Sequence, residues 1–336
     1  MRKYLLPEEG SFYKVNLHCH TTISDGRMTP EEIKALYKEN GYSAVAFTDH
    51  DVFIPHPELT DDSFVALHGY EMEVNEPPVE GGEPRATRTC HMCLVALDPE
   101  NETPVCWHRE KYIPKKSQPN AHLVKFDPSE PNYERVYSHE GVSDMMRRGR
   151  EAGFFVTYNH PTWSLEHYPE YSGYVGMHAM EIMNHACIVM GYPEYNERVY
   201  DDILLSGNRI FVIGADDTHH LKDACGAYVM VKAPRLGYRE LTSALVDGSF
   251  YASEGPEIKA LYVEGGELKV ETSSVKQICL SSGLRRASIR IGENGETITS
   301  AAFPIPEEAT YIRLTVIGAD GKKAYTNAYG TKELLG

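Results

Sequence analysis

Lys14-Val15-Asn16-Leu17-His18-Cys19-His20 reads as a short strand that ends on two histidines. Behind it, Thr29-Pro30-Glu31-Glu32 is a capping box with proline at the first helical position, and Gly41 closes that helix. Ser43–Thr48 then returns as a second strand, so residues 14–48 hold one strand–helix–strand unit. Working outward, the next strand candidates are Phe64–Glu71, His91–Leu97, Gly153–Asn159, Ala179–Asn184 and Arg209–Ala215. Helical stretches at Met145–Glu151, Tyr195–Leu205 and Arg239–Val246 run into Gly153, Gly207 and Gly248. This alternation predicts an α/β domain with a largely parallel sheet, open or closed into a barrel. In such folds the chemistry gathers at the carboxyl ends of the strands.

Two stretches break the rhythm. Residues 98–140 are rich in Pro, Lys, Glu and Asn with little periodicity, and read as a long insertion over one face of the domain. After Ser253-Glu254-Gly255-Pro256 the chain changes to β-like runs at Ile258–Val263, Leu268–Thr272, Gln277–Leu280, Ile289–Ile291 and Tyr311–Ile317. Turn signals at Gly265-Gly266, Asn294-Gly295 and Asp320-Gly321 punctuate them, as in a small antiparallel sandwich. The expected division is therefore 1–254 for the α/β domain and 255–336 for a small all-β domain.

Composition narrows the function classes. With 41% hydrophobic and 24% charged residues in 336, the chain can bury a substantial core. A formal charge of −16 disfavours long nucleic-acid tracks, which need a basic surface, but not a small anionic substrate. Apolar runs such as Gly153–Thr157 and Ile210–Ile213 are too short to span a bilayer, so no membrane partner is expected. The start of the chain lacks an apolar signal core, and seven cysteines without framework spacing suit a reducing compartment; cytoplasm is the expectation.

The 15 histidines are the compositional oddity, and many of them end strand-like segments. In a strand, residues i and i+2 share a face, so His18 and His20 project together while Cys19 points away. Asp25 follows in Ser24-Asp25-Gly26, at the turn before the first helix. Other strands end in Thr48-Asp49-His50-Asp51, Gly69-Tyr70-Glu71, Tyr158-Asn159-His160-Pro161 and Gly214-Ala215-Asp216-Asp217-Thr218-His219. Buried without a cation, so many imidazoles and carboxylates would leave charges unpaired. Neutral imidazole with carboxylate is the ligand mix of zinc, manganese or iron rather than calcium.

In that order the motifs His-x-His…Ser-Asp-Gly, Thr-Asp-His-Asp, Gly-x-Glu, a mid-domain histidine, Asn-His-Pro and Asp-x-His resemble the polymerase and histidinol phosphatase (PHP) family over residues 14–220 or so. The resemblance implies a distorted (β/α)7 barrel with two or three divalent ions on one rim, and phosphoester hydrolysis as the usual activity. Carried over, His18, His20, Glu71 and Asp217 would hold one ion, and Asp25, His50 and His219 a second. Glu71 would bridge to a third, completed by His91 and His160. Some family members have histidine where this chain has Asp25. His91 opens its run rather than ending it, and reaches the rim if that strand returns antiparallel after Glu71. The reaction expected is hydrolysis of a small phosphorylated substrate by a metal-activated water, with Asp25, His50, Glu71 and His219 at the reacting centre.

Rival readings are a C–N hydrolase of amidohydrolase type on the same ions, and a non-catalytic metal-holding module that binds a ligand. Of neighbouring pairs, Asp217/His219 keeps the Asp-x-His spacing rather than Asp216 or His220. Cys90-x-x-Cys93 reads as two reduced structural thiols around His91. Asp49 and Asp51 read as support for His50, with proton delivery to the leaving group as the alternative. His139 and His185 are candidate supports for the ligands, and His56, His122 and His167 read as loop residues. The loops 72–90, 98–140 and 161–176 are expected to read the rest of the substrate, with Arg85, Arg88, Trp163 and the tyrosines there as candidate contacts.

Overall fold

A computed structural model describes residues 2–78 and 87–335. Its backbone is a mixed α/β sheet in which Ser11–Asn16, Ala44–Phe47, Val65–Asn75, Thr89–Ala96, Phe154–Asn159, Ala179–Asn184 and Phe211–Ala215 are neighbours in chain order. All of these pairs are parallel except those of Thr89–Ala96, which runs antiparallel to both neighbours. Beyond the last strand the path returns to the first. Cys19 and Thr218 form a parallel bridge, with His20 N donating to Thr218 O at 3.0 Å and Asp217 N to His18 O at 3.0 Å. Helices between the strands begin and end where the sequence places them. Thr29 caps Pro30–Glu39 in a complete capping box with Glu32, and Gly207 and Gly248 follow Glu197–Leu205 and Tyr238–Val246. The helix before Gly153 is longer than expected, starting at His139 on the cap of Ser138.

The two-residue period of strands explains why apolar and ligand-type residues share a face. Leu67 lies on the face of Glu71, Phe155 on that of Asn159, and Ala179 on that of Glu181. Leu67, Phe155 and Ala179 join Val15, Ala46, Val95 and Ile213 in one buried cluster, so the polar groups stand above an apolar floor. On Thr89–Ala96, His91 shares its face with Val95, and the reversed direction brings His91 to the same end of the sheet as Glu71.

Several strands have no counterpart in the sequence reading, among them Lys3–Tyr4, Tyr228–Ala233, Phe250–Ser253, Ile298–Pro304 and Lys323–Thr326. Tyr228–Ala233 pairs antiparallel with Ser11–Asn16, and Phe250–Ser253 pairs with Tyr228–Ala233. The sheet then continues through Lys323–Thr326, Tyr311–Ile317, Gln277–Ser282 and Ser288–Ile291. A second sheet of Lys3–Tyr4, Ile258–Glu264, Glu267–Val275 and Ile298–Pro304 faces it across Leu261, Leu268, Ile278, Phe303 and Leu314. The antiparallel β content after residue 255 is thus present, while its larger sheet is continuous with the α/β part and its smaller one recruits Lys3–Tyr4. Gly265 and Gly266, both at positive φ (63° and 77°), make the tight turn that an L side chain would strain.

Residues 98–138 contain no strand and one short 3-10 turn, Gln118–Leu123. They pack on the segments that follow the site strands, through a cluster of Val52, Ile113 and Val124 backed by Ile23, Ile54 and Trp107. Among the described residues no helix is long and apolar enough to cross a membrane.

Candidate metal centre

All nine candidates converge at one end of the seven-strand path, together with Cys93 and Glu181. His18, His20, Glu71, His91, His160 and Asp217 are buried, and Asp25, His50 and His219 line the more open side. Glu71 is central. Its Oε2 lies 3.3 Å from His18 Nε2, 3.3 Å from His20 Nε2 and 3.2 Å from His50 Nδ1. Its Oε1 lies 3.2 Å from His91 Nδ1 and 3.3 Å from His160 Nε2. Asp217 Oδ1 stands 3.2 Å from both His18 Nε2 and His20 Nε2. Asp25 Oδ1 stands 3.3 Å from His219 Nε2, 3.7 Å from His20 Nδ1 and 3.9 Å from His50 Nε2. His20 therefore shares one set with His18 and Asp217, and another with Asp25, His50 and His219.

The donor set suits divalent cations. His18 Nε2 and His20 Nε2 face each other at 3.0 Å, and buried His50 Nδ1 and Asp217 Oδ1 lack a properly aligned hydrogen-bond partner. Converging nitrogen and carboxylate lone pairs in a buried site call for positive charge. The imidazoles and carboxylates also shift one another. Burial opposes charge on His20, yet hydrogen bonds to Asp217 and Glu71 carry it up to about 10. Burial likewise opposes charge on His91, while Glu71 and Glu73 raise it to about 10. His50 moves the other way, burial and the neighbouring charge of His20 pushing it down to about 4. Glu71 is held well below the carboxylate range: its burial is outweighed by His18, His91 and His50.

A ring of buried groups fixes the candidates. Glu181 Oε1 lies 2.7 Å from His18 Nδ1, while Glu181 Oε2 accepts from His160 N at 2.9 Å. Asn159 Nδ2 donates to Glu71 Oε1 at 3.1 Å. Glu73 Oε2 stands 3.2 Å from His91 Nε2. Asp51, His160 and Asp217 hold positive φ (54°, 28° and 53°), backbone strain concentrated beside the cluster. Of these supports the sequence reading missed Glu181 and Glu73. A glutamate inside the otherwise apolar strand Ala179–Asn184 was the available signal for the first.

The local ambiguities resolve. Asp217 faces the cluster, whereas Asp216 accepts from the backbone N–H groups of Cys225, Gly226 and Ala227, each at 2.8 Å, and from Tyr37 Oη. His219 is in the cluster, and exposed His220 pairs with Asp223. Neither Asp49 nor Asp51 is free to deliver a proton. Asp49 accepts from Thr21 and Ser24, main chain and side chain alike, and so holds the turn that carries Asp25. Asp51 forms a fully buried ion pair with Arg135. Cys90 and Cys93 are both reduced; Cys93 faces the cluster and accepts from Asn159 at 3.1 Å, a nearer place than a purely structural thiol has.

His185 packs its ring against Gly226, and His139 lies against Pro169 O, so neither touches the ligands. His56 sits beside Glu58, His122 beside Pro119 O and His167 before a short helix, as loop residues do. Arg88 is committed to Glu76 and Glu170, and Arg85 lies outside the described residues. Trp163 does reach the site. A cavity of about 280 Å³ opens over the cluster, with Trp163, Ala186, Cys187, Met190 and Lys222 among its other lining residues.

Comparison with known proteins agrees with the motifs. No curated protein matches the chain. Among solved structures, a two-domain protein from Bacteroides vulgatus containing a predicted PHP-like metal-dependent phosphoesterase is 15% identical, covering 97% of this chain and 98% of that one at a TM-score of 0.45. An amidohydrolase from Chromobacterium violaceum, with bound sulfate and no metal, is 16% identical over 61% of this chain and 87% of that one, at a TM-score of 0.34. Likenesses of that strength carry no functional argument. The family match is more direct: residues 16–137, which hold the His-x-His, Asp25, His50, Glu71 and His91 positions, match the PHP domain model.

Proposed function

We propose that the chain is a metal-dependent hydrolase that cleaves the phosphoester bond of a small phosphorylated substrate. The observation that carries this is Glu71, whose two oxygens face separate groups of imidazoles at the floor of a cavity. The candidate sets are His18, His20 and Asp217 on one side of Glu71, Asp25, His50 and His219 towards solvent, and His91 with His160 on the other side. Zinc, manganese or iron would suit these nitrogen and carboxylate donors. Bound there, divalent ions supply a lowered pKa for water and a counter-charge for phosphoryl oxygens. The protein's own part is to set spacing and exclude bulk water. Glu181 orients His18 and His160, Asp49 holds the Asp25 turn, and Arg135 anchors the segment after His50. The return of the strand path through Cys19 and Thr218 fits the distorted barrel implied by the family, with the segment after residue 255 as a second, β-rich unit.

Elemental analysis of the purified chain, followed by p-nitrophenyl phosphate, a bis-ester and an amide panel, tests the reading. Bound divalent metal with monoester turnover is expected. Amide turnover without phosphoester turnover would make it a C–N hydrolase, and neither activity in a metal-loaded chain would make it a binding module.

A further inference from the structure

Resting on the metal centre of the proposed function, we infer that residues 194–196 are a positioning strap: Glu194 and Asn196 hold the loop that carries His160, and Tyr195 ties the same three residues to the β-rich part of the chain. The loop needs holding. His160 and Leu165 both adopt left-handed backbone (φ 28° and 60°), which costs energy in residues other than glycine. Ser164 N donates to His160 O at 3.1 Å and Glu166 N to Pro161 O at 3.1 Å, so the loop turns as one compact piece. The Thr162 and Trp163 N–H groups are taken up by a single carboxylate of another segment. Glu194 Oε1 accepts from Thr162 N at 3.1 Å, and Glu194 Oε2 from Trp163 N at 2.8 Å. The Thr162 hydroxyl donates to Asn196 Oδ1 at 2.9 Å, and Asn196 Nδ2 donates in turn to Glu194 Oε1 at 2.9 Å and to Glu181 O at 3.2 Å. Glu194 and Asn196 are both buried, so water does not replace a bond lost here. What they hold faces the cluster: His160 Nε2 lies 3.3 Å from Glu71, and the Trp163 indole stands edge-to-face against His91 and His160, ring centres 5.4 and 5.0 Å apart.

Tyr195, between these two, has other partners, as alternate residues of an extended segment do. It forms an antiparallel bridge with Met183, and its side chain meets the β-rich part. Tyr195 Oη donates to Glu254 Oε2 at 3.1 Å, and the Lys323 ammonium lies 4.8 Å from the centre of the Tyr195 ring. Lys323 N donates to Glu254 Oε1 at 2.8 Å and Lys323 Nζ to Glu197 Oε1 at 2.7 Å. Both partners of Tyr195 are thus locked to each other and to the helix that follows the strap. A line of contacts runs from Lys323 through Tyr195 to the loop of His160, and gives the β-rich part a share in setting the centre.

The test titrates Zn²⁺ into the metal-stripped full chain, with Trp107→Phe as background so that Trp163, the other of two tryptophans, reports ion uptake beside His91 and His160. Competition with a chelator reads the same midpoint independently. Glu194→Gln sets an amide nitrogen against one of the N–H donors and should raise the free Zn²⁺ at half-response about tenfold or more. Tyr195→Phe and Lys323→Met, outside the cluster, should raise it about threefold. Val270→Ala, which thins the buried core of the β-rich part away from the strap, should leave it unmoved. Should Glu194→Gln not fold, Thr162→Val, which removes only the hydroxyl bonded to Asn196, must shift the midpoint in the same direction. The inference is overturned by an unmoved midpoint in Glu194→Gln, by one unmoved in both Tyr195→Phe and Lys323→Met, or by a shift in Val270→Ala as large as in Lys323→Met. Amide hydrogen exchange over residues 160–166 reads the strap without metal: faster exchange in Glu194→Gln and Lys323→Met, and not in Val270→Ala, is expected. If the parent chain takes up no Zn²⁺ the metal centre fails, and the exchange result alone decides for or against the strap.

Discussion

Glu71→Gln separates a catalytic cluster from a structural one. The glutamine has the same shape, and Glu71 is 1% exposed, so packing is conserved. Its chemistry is not. If the new amide nitrogen takes the place of Oε2, it confronts the nitrogens of His18, His20 and His50. If it takes the place of Oε1, it confronts His91, His160 and the Asn159 amide donor. Either orientation removes one anionic oxygen from a group of ligand nitrogens. Loss or weakening of one ion and at least a hundredfold fall in turnover are expected, about 3 kcal/mol in the barrier. The metal-free fold should lose only the hydrogen-bond share, about 1–3 kcal/mol. Metal content, melting temperature and phosphoesterase rate are to be read on one preparation. Unchanged metal and rate would remove Glu71 from the centre, and a collapsed fold would show the cluster to be chiefly structural.

Arg135→Met should destabilise the fold by about 3–5 kcal/mol, because the fully buried Asp51 carboxyl loses its cation and must either stay charged without a partner or take up a proton; adding Asp51→Asn should restore part of that in chemical denaturation, and no recovery would mean that the pair is not the cause. Glu181→Gln should weaken metal binding about 10- to 100-fold by releasing His18, read by competition with a chelator; unchanged affinity would make Glu181 a bystander. His68, buried with neither ring nitrogen in a well-aligned hydrogen bond, is pushed by burial down to about 4. A lowered imidazole contributes in full above its unfolded value near 6.5 and loses that contribution as pH falls from there through 4, about 2 kcal/mol of it by pH 5. His68→Leu should therefore flatten the acid side of the stability profile, and an unchanged profile would refute the assignment.

The sequence reading located the α/β part well because its strands end in residues that only chemistry explains. His18, His20, His50, His160, Asp217 and His219 each sit just past the end of a strand, whereas Val65–Asn75 runs on beyond Glu71, where the sequence reading ended it; the structure brings all of them together. His91 obeyed a different rule, an antiparallel return, that no local signal reveals. Tyr228–Ala233 and Phe250–Ser253 escaped because a strand is recognised by its neighbours as much as by its own pattern. The part played by residues 98–138 was legible only as irregularity. Arg135 looks like any loop arginine until the fold buries it against Asp51 and the carbonyl of Glu73. Asp49 and Asp51, alike in sequence, diverge because one faces the Asp25 turn and the other faces Arg135.

A network of neutral imidazoles does not account for the cluster, and the ring tautomers show why. His18 Nδ1 is 2.7 Å from the Glu181 carboxylate, so the neutral ring carries its proton there and turns a bare Nε2 to Glu71 and Asp217. His219 Nδ1 is 2.9 Å from the Asp217 carbonyl, which can only accept, so its Nε2 too is bare towards Asp25. Neutral imidazoles arranged in this way present lone pairs to carboxylate oxygens at 3.2–3.3 Å, an arrangement that repels unless a cation lies between them. The alternative is to protonate the inner nitrogens, which is the direction in which His18 and His20 are driven when nothing else supplies charge. Metal uptake must then expel those protons, so apparent affinity should climb as pH rises and fall steeply in acid. The supporting carboxylate and carbonyl point each ring inwards before any ion arrives, which is the preparation expected of a metal centre.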